Sequence, residues 1–470
     1  MEKVGILIVS YGARAVAMVD AFAYSTKYDA RLYIADKQRN PFNVEKSFKH
    51  IVVPDLNVNK ICKFAEKNRE NIDFGIVGPE KPIINGIRDF VEDSTGIPII
   101  CPTQKYAIEV SKVAQRRLLQ EIVPEVNPRF KIFNPEEYQD LGETKKAVYG
   151  WLDQLEDKAV VKPDQPAAGK GVGVWGDHFT TREELFDHFY ANLQYGSVII
   201  EEKIEGEESS FQAFCDGKNL VPLPDTRDYK RAFDGDKGPN TGGMGSYKDA
   251  GDVLPFMTAA DREKEVKIAK RLFEKWADTD NEGLRGIPFY LAFIHTGEGP
   301  KILENNSRPG DPEIQNILPI LKDDFVDICF KMLEETLHRV ELKELATVVT
   351  YKVPPNYGGY KDVHPHHVNS KEIGQPVNLK DAYQLKEKYG ENIRVYPASM
   401  ELRDHKTYPL SSRTVCVVGS GIDIETAREI SLQGLDAIKG GGLWYRTDIA
   451  SERDIQQSIR HMEELRRHKN

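Results

Sequence analysis

Apolar residues fall into short runs along the N-terminal part of the chain: VGILIVS at 4–10, RLYIA at 31–35, HIVV at 50–53, FGIVG at 74–78 and IPII at 98–101. Their length and β-branched content predict strands. Between them lie segments with helical spacing, such as Ile61, Phe64 and Ala65 after the candidate caps Asn57 and Asn59. Alternating strand and helix predict an open, mainly parallel, Rossmann-like α/β sheet over 1–103.

From about 104 a helical piece, KYAIEVSKVAQRRLLQEI, is followed by the strand AVVKP and a glycine-rich turn. Next come a helix at 182–192, the strand SVIIEE and strand-like material to about 224. A glycine-rich loop at 234–245 follows, with no regular element expected for some ten residues after it. Val266, Ala269, Leu272, Phe273 and Trp276 then share one face of a helix over 261–277, which reads as core packing. Beyond about 326, short β-type runs (ATVVTYKV, TVCVVGSG) and the helix IDIETAREISLQGLDAI predict a separate small α+β unit. The terminal helix 451–467 carries both signs of charge and reads as solvated. The expected domains are therefore 1–103, 104–325 with a small lid at about 125–200, and 326–470.

Composition narrows the class. Hydrophobic residues make up 40% and charged residues 29%, and no apolar run approaches the ~18 residues of a membrane span. The N-terminus reads as a first strand rather than a signal peptide, so a cytoplasmic location with no membrane partner is expected. The five cysteines are widely spaced with no Cys-x-x-Cys, which fits buried thiols. A net charge of −10 argues against a nucleic-acid surface and leaves small molecules as the expected partners.

Four stretches carry chemistry. In VVKPDQPAAGKGVGV (160–174), Lys162 ends a strand and precedes a small-residue loop containing Gly169, Lys170 and Gly171. Close backbone approach and two ammonium groups suit a polyphosphate, although a flexible hairpin with a surface lysine has the same pattern. In VIIEEKIEGEESS (198–210), Glu201, Ile204 and Glu208 have the spacing to meet an adenine amine, its ring edge and ribose hydroxyls; a solvated acidic turn is the alternative. Asp228, Lys230 and Arg231 open the glycine-rich loop with charges suited to an amino acid. In ENNSRPGDPE (304–313), Glu304, Asn306 and Arg308 alternate from a strand end. A carboxylate and an amide are hard ligands for Mg²⁺ or Mn²⁺, and an arginine beside them neutralises charge in phosphoryl transfer. A tight, salt-bridged turn explains this stretch equally well.

Taken in order, these stretches resemble an ATP-grasp ligase, and most closely the glycinamide ribonucleotide synthetase family. The resemblance rests on GPE at 78–80, VVKPDQPAAGKGV, EEKIEGEESSF, DYKRAFDGDKGPNTGGMGSY and NSRPGDPE, and on the C-terminal TVCVVGSG and GGLWYRTDIAS. It implies a Rossmann-like N-terminal domain, ATP-grasp central domains and a small α+β C-terminal domain. It also implies ATP-dependent joining of glycine to 5-phosphoribosylamine through glycyl phosphate, by a monomer or small homo-oligomer. Lys112 and Lys162 would contact ATP phosphates, with Lys162 and Arg308 catalytic, and Glu304 and Asn306 would bind the metal. Gly78, Pro79, Glu80, Asp228, Lys230, Arg231, Asn240, Thr241, Gly242, Gly243, Arg308, Gly310 and Asp311 would line the substrate side. Where the family usually reads Gly-x-Gly-Gly-Arg-Glu-His, this chain has Ser10 to Val16, keeping Arg14 as the expected phosphate contact. That altered loop leaves a related ligase of another amine or carboxylate as the alternative.

Overall fold

A computed structural model of the chain describes residues 1–164, 171–277, 281–358 and 368–467. The N-terminal sheet is parallel throughout: β1 (Glu2–Val9), β2 (Tyr28–Asp36), β3 (Lys49–Val52), β4 (Phe74–Val77) and β5 (Ile99–Ile100), in the order β3-β2-β1-β4-β5. Between β1 and β2 runs α1 (Gly12–Ala23), whose alanine-rich sequence lets almost every residue be buried. The helix Val58–Lys67 starts where Asn57 caps the Lys60 N–H, as its spacing predicts. Because β2 and β4 flank β1 on opposite sides, the strand order reverses at the end of β1, where such sheets leave a ligand crevice.

The expected helix from about 104 begins later, at Lys112. Ser111 is extended and its hydroxyl accepts the Ala114 N–H, so the preceding residues form two short 3₁₀ turns instead. Then comes a small antiparallel sheet of β6 (Phe130–Phe133), β7 (Ala159–Pro163), β8 (Gly173–Val174) and β9 (Val198–Glu202), in the order β6-β9-β7-β8. It packs against the helices Leu141–Gln154 and Arg182–Leu193 around a core of its own. A second antiparallel sheet contains β10 (Glu207–Asp216) and β11 (Leu220–Pro222), with the long hairpin described below.

The glycine-rich region is more ordered than its composition predicts. After β12 (Arg227–Asp228), β13 (Arg231–Phe233) and β14 (Lys237–Asn240) form a hairpin, and β15 (Gly245–Lys248) follows directly. Glycines with left-handed backbone at Gly235 and Gly243 make the connections between these strands, and β15 gains its regularity by pairing with a distant strand. The hairpin of β16 (Arg285–Thr296) and β17 (Gly299–Asn306) completes the second sheet in the order β11-β10-β16-β17.

The C-terminal sheet crosses the boundary expected at 325. Its order is β12, β15, β18 (Ala346–Lys352), then the strands Val415–Gly421 and Ile393–Pro397. The terminal helix Glu452–Arg467 also departs from expectation, because Ile455, Ser458 and Met462 are buried. Mixed charges on the other faces hide this narrow apolar stripe in the sequence. One continuous core joins Ile6, Phe22, Phe214, Tyr247, Phe325, Val348 and Met462, and so runs through all three expected domains. All five cysteines are buried, and no helix among the described residues is long and apolar enough to cross a membrane.

The helix Ile424–Ala437 rests directly on the strand Val415–Gly421. A methyl group on Gly419 would lie 1.9 Å from the Ala427 carbonyl oxygen. Gly419→Ala is therefore expected to destabilise the protein by about 1–3 kcal/mol, measured by urea denaturation. An unchanged midpoint would show that this helix is not seated as described.

Candidate functional site

The site is built around the end of the β16–β17 hairpin. Register pairs Ala292 with Glu304, Leu291 with Asn305 and Tyr290 with Asn306. Strand alternation therefore puts the side chains of Glu304 and Asn306 on one face and that of Asn305 on the other, while the Asn305 backbone N–H donates to Gln115 Oε1 at 2.9 Å. Asn306 Nδ2 lies 3.4 Å from Glu304 Oε1. Burial disfavours the charged form of Glu304, but Lys230, Lys162 and Lys112 outweigh it and hold the carboxyl below its ordinary value. Three lysines from separate parts of the chain thus contribute to the field at one carboxylate.

Lys162 ends β7, and its ammonium pairs with Glu201 on the adjoining β9. Arg116, from the helix Lys112–Ile122, donates to both oxygens of Glu201 at 2.7 and 3.1 Å, and to the carbonyls of Ile302 and Leu303 at 3.1 and 2.6 Å. Burial lowers the Lys162 pKa, against the opposing pull of Glu201. The same burial would raise that of Glu201, but Arg116 and Lys162 bring it below the ordinary value. This buried group joins the small sheet to β17. Each oxygen of Glu201 already accepts a hydrogen bond, so any adenine amine would share a carboxylate that is in use. Ile204 is half-buried in the turn after β9, and Glu208 at the start of β10 pairs with Lys230 at 2.7 Å. Gly171 has a left-handed backbone, and its carbonyl lies 2.8 Å from His188 Nε2. Gly169 and Lys170 lie outside the described residues.

Arg308 follows Asn306 at the next-but-one position. Its Nη2 lies 3.2 Å from Glu109 Oε1 and 3.4 Å from Asn306 Oδ1, its Nε 3.5 Å from Glu80 Oε2, and its guanidinium 5.8 Å from the Tyr290 ring. Burial opposes its charge, but Glu109 and Glu80 more than offset that and keep it protonated. The two acids then diverge. Burial pushes Glu109 up despite Arg308, whereas for Glu80 the cations Arg308 and Arg14 overcome burial and hold it down.

The crevice at the end of β1 opens onto this turn. Arg14, 3% exposed on α1, donates to the Pro309 carbonyl at 2.8 Å. Gly78 follows β4, and a methyl group there would lie 2.3 Å from Ser10 Oγ and 3.2 Å from Arg14 Nε, so only glycine fits. Pro79 and Glu80 lead into the short helix Glu80–Ile84. Ser10 Oγ and Arg14 Nε are both buried without a hydrogen-bond partner among the described residues.

On the other side, Asp228 presents a buried Oδ1 without a partner. Burial, with Glu313 nearby, pushes its pKa well up, and Lys230 and Arg413 oppose that. Gly243 lies between Asp228 and the turn that follows β17, since a methyl on it would be 2.6 Å from Asp228 Oδ1 and 2.7 Å from Pro312 Cδ. Thr241 Oγ1 donates to the Lys230 carbonyl at 2.9 Å, and the Gly242 N–H to Tyr357 Oη at 3.1 Å. Gly310 N–H reaches Gln212 Oε1 at 2.7 Å. Arg231 points elsewhere, pairing with Asp177 at 2.8 Å, and Asn240 is exposed in the hairpin opposite it.

Several site residues had no local signal. Arg116, Glu109 and Tyr290 are ordinary helix, turn and strand positions, and Glu313, reached by the Tyr290 and Ser210 hydroxyls, has no task that its place in the turn after β17 reveals. Asp311 is fixed by Tyr351 Oη at 2.5 Å and Arg413 Nη2 at 3.0 Å, both from the C-terminal sheet region.

Residues 4–109 match the family described as the phosphoribosylglycinamide synthetase N domain, and residues 111–314 match its ATP-grasp (A) domain. The chain belongs to the phosphoribosylglycinamide synthetase family. It is 36% identical over 467 residues to a phosphoribosylamine–glycine ligase of Methanosarcina acetivorans, covering 99% of this chain and 98% of that one. To the ligase of Pyrococcus furiosus it is 33% identical over 468 residues, covering 98% of each. The solved phosphoribosylamine–glycine ligase of Thermotoga maritima superposes with a TM-score of 0.71 at 24% identity, over 95% of this chain and 100% of that one. The biotin carboxylase domain of a Hydrogenobacter thermophilus 2-oxoglutarate carboxylase, solved with MgADP, has a TM-score of 0.62 at 14% identity, over 98% and 93%. At these identities the solved structures establish the shared fold. Both the small sheet β6–β9 and the hairpin β16–β17 lie within the residues that match the ATP-grasp domain, and Arg116, Glu201 and Lys162 connect them.

Arg116→Met should leave Glu201 with one cation and cost roughly 2 kcal/mol or more in urea denaturation. Adding Glu201→Met should recover little, because it leaves the Lys162 ammonium buried without its carboxylate. A single variant as stable as wild type would mean that the group does not hold the two sheets together.

Proposed function

We propose that this chain joins glycine to 5-phosphoribosylamine at the expense of ATP, releasing ADP and phosphate and forming glycinamide ribonucleotide. The observation that carries the reading is the set Glu304, Asn306 and Arg308 at the end of β17, in the field of Lys112, Lys162 and Lys230, in a chain of this family. A neighbour of the same fold binds MgADP, and the lysine side of the cleft has the charge to receive a nucleotide polyphosphate.

In the first step a glycine carboxylate oxygen attacks the γ-phosphorus and the bond to the ADP oxygen breaks, giving glycyl phosphate. The amine of phosphoribosylamine then attacks the glycyl carbonyl carbon. Phosphate leaves with the bonding pair, and the amine proton passes to solvent or phosphate. Neither step needs a strong protein base, so positioning and charge neutralisation supply most of the rate. Lys112 and Lys162 hold the phosphates, and Arg308, kept charged by Glu109 and Glu80, faces the charge that builds on the transferred group. Glu304 and Asn306 offer hard oxygen donors. Among the described residues no group of three acidic, histidine or cysteine side chains could hold a metal alone. That donor set fits a divalent cation such as Mg²⁺ or Mn²⁺ whose other ligands are phosphate oxygens and water, and which supplies charge neutralisation when bound. Asp228 and Lys230 face the amino acid, and Arg14 with Ser10 and Gly78 receives the ribosylamine phosphate. The small sheet β6–β9 closes over the cleft and keeps water from the acyl phosphate.

Purified protein with Mg-ATP should release phosphate only when glycine and fresh phosphoribosylamine are both present; turnover unaffected by omitting glycine would sink the assignment. Glu304→Gln is expected to lower kcat by roughly 100-fold or more with the circular dichroism unchanged, and full activity would remove its metal role. Arg14→Ala should raise KM for phosphoribosylamine by about 10-fold or more, with KM for ATP and glycine little changed. Equal effects on all three substrates would place the phosphate elsewhere.

A further inference from the structure

Arg413 stands just before the strand Val415–Gly421, outside the residues that match the two family domains. Its backbone is held by the Ser399 N–H, which donates to its carbonyl at 2.7 Å. From there the side chain crosses into the site. Nη1 donates to the Gly242 carbonyl at 2.6 Å and the Asp311 carbonyl at 2.8 Å, with Gly243 O at 3.3 Å, while Nη2 meets Asp311 Oδ2 at 3.0 Å. The guanidinium lies over the Tyr351 ring at 4.6 Å, and the Tyr351 hydroxyl holds the other oxygen of Asp311.

One planar group therefore bridges the glycine loop at Gly242 and the turn after β17 at Asp311, here the phosphoryl turn, which are far apart in sequence. The two hydrogens of Nη1 already face three carbonyl oxygens, so that nitrogen has nothing left to offer a substrate. Its influence passes through what it holds. Gly243 has a left-handed backbone and is confined between Asp228 and Pro312, so a small shift of the loop changes the space at Asp228.

We propose that Arg413 is a positioning residue by which the C-terminal sheet sets the glycine loop against the phosphoryl turn, and so tunes binding of the two substrates other than ATP. The inference rests on the functional reading above for its substrates, but not for its geometry.

The test compares Arg413→Met and Arg413→Lys with Ser431→Ala. The last removes the 2.9 Å bond from Ser431 Oγ to Val417 O, within the C-terminal region and away from the site. Arg413→Met is expected to raise KM for glycine or phosphoribosylamine at least tenfold while KM for ATP stays within about twofold. Arg413→Lys should recover little, because one ammonium cannot reproduce the planar fork. Hydrogen exchange of the peptide spanning 240–247 should speed up at least tenfold in both Arg413 variants and not in Ser431→Ala. If Arg413→Met does not fold, Arg413→Lys carries the same readouts. Unchanged exchange in the Arg413 variants, equal exchange in Ser431→Ala, or equal rises in all three KM values would overturn the proposal. Wild-type protein without glycine-dependent turnover would defeat the functional reading alone, and exchange would still decide the role of Arg413.

Discussion

Opposed charge in a partly dry cleft is the constraint on which the site depends. Glu304 is held ionised by the charges of Lys112, Lys162 and Lys230, and Arg308 lies against Glu80 and Glu109. Removing water from any one of these groups costs several kcal/mol, and only its partners offset that cost. The partners come from the helix after Ser111, from β7, from the glycine-rich region, from the end of β4 and from the turn at Glu109. The cleft can therefore form only when all of these elements arrive together. A polyphosphate entering it would take over lysines that now face carboxylates, and so would meet cations already in place.

The scaffold is arranged to keep those positions. β16 and β17 form a long antiparallel pair whose register puts Glu304 and Asn306 on one face, and α1 is buried along nearly its whole length with Arg14 tied to Pro309. The continuous core through Phe22, Phe214, Tyr247 and Val348 links the N-terminal sheet, the hairpin sheet and the C-terminal sheet. The small sheet β6–β9 instead has its own core and reaches the rest through Arg116, Glu201 and Lys162. That division suits a cleft with one rigid wall and one that moves on a polar contact.

Much of this was legible before folding. Short apolar runs predict the parallel strands, Asn57 marks its helix start, and Glu-x-Asn-x-Arg at a strand end predicts a shared face. The misses have a common origin. Glycine content made 234–245 look irregular, but β15 became a strand because β18 was there to pair with it. Mixed charge made the terminal helix look solvated, yet Ile455 and Met462 are enough to dock it on the core. Arg231 carried a charge suited to a substrate and instead met Asp177, since no local pattern says which partner a long side chain will find.

By itself the sequence determined the strand and helix alternation and the order of the chemistry-bearing stretches, because periodicity and spacing act between near neighbours, while Lys162, Glu304, Asn306 and Arg308 were singled out through the family resemblance rather than by local pattern. The tertiary structure alone decided that Arg116 and Lys162 share Glu201, that Glu109 and Glu80 flank Arg308, and that Arg413 closes the gap between two distant loops. Each of those contacts joins residues far apart in the chain, where burial sets the cost of a charge and only the assembled fold supplies the partner that offsets it.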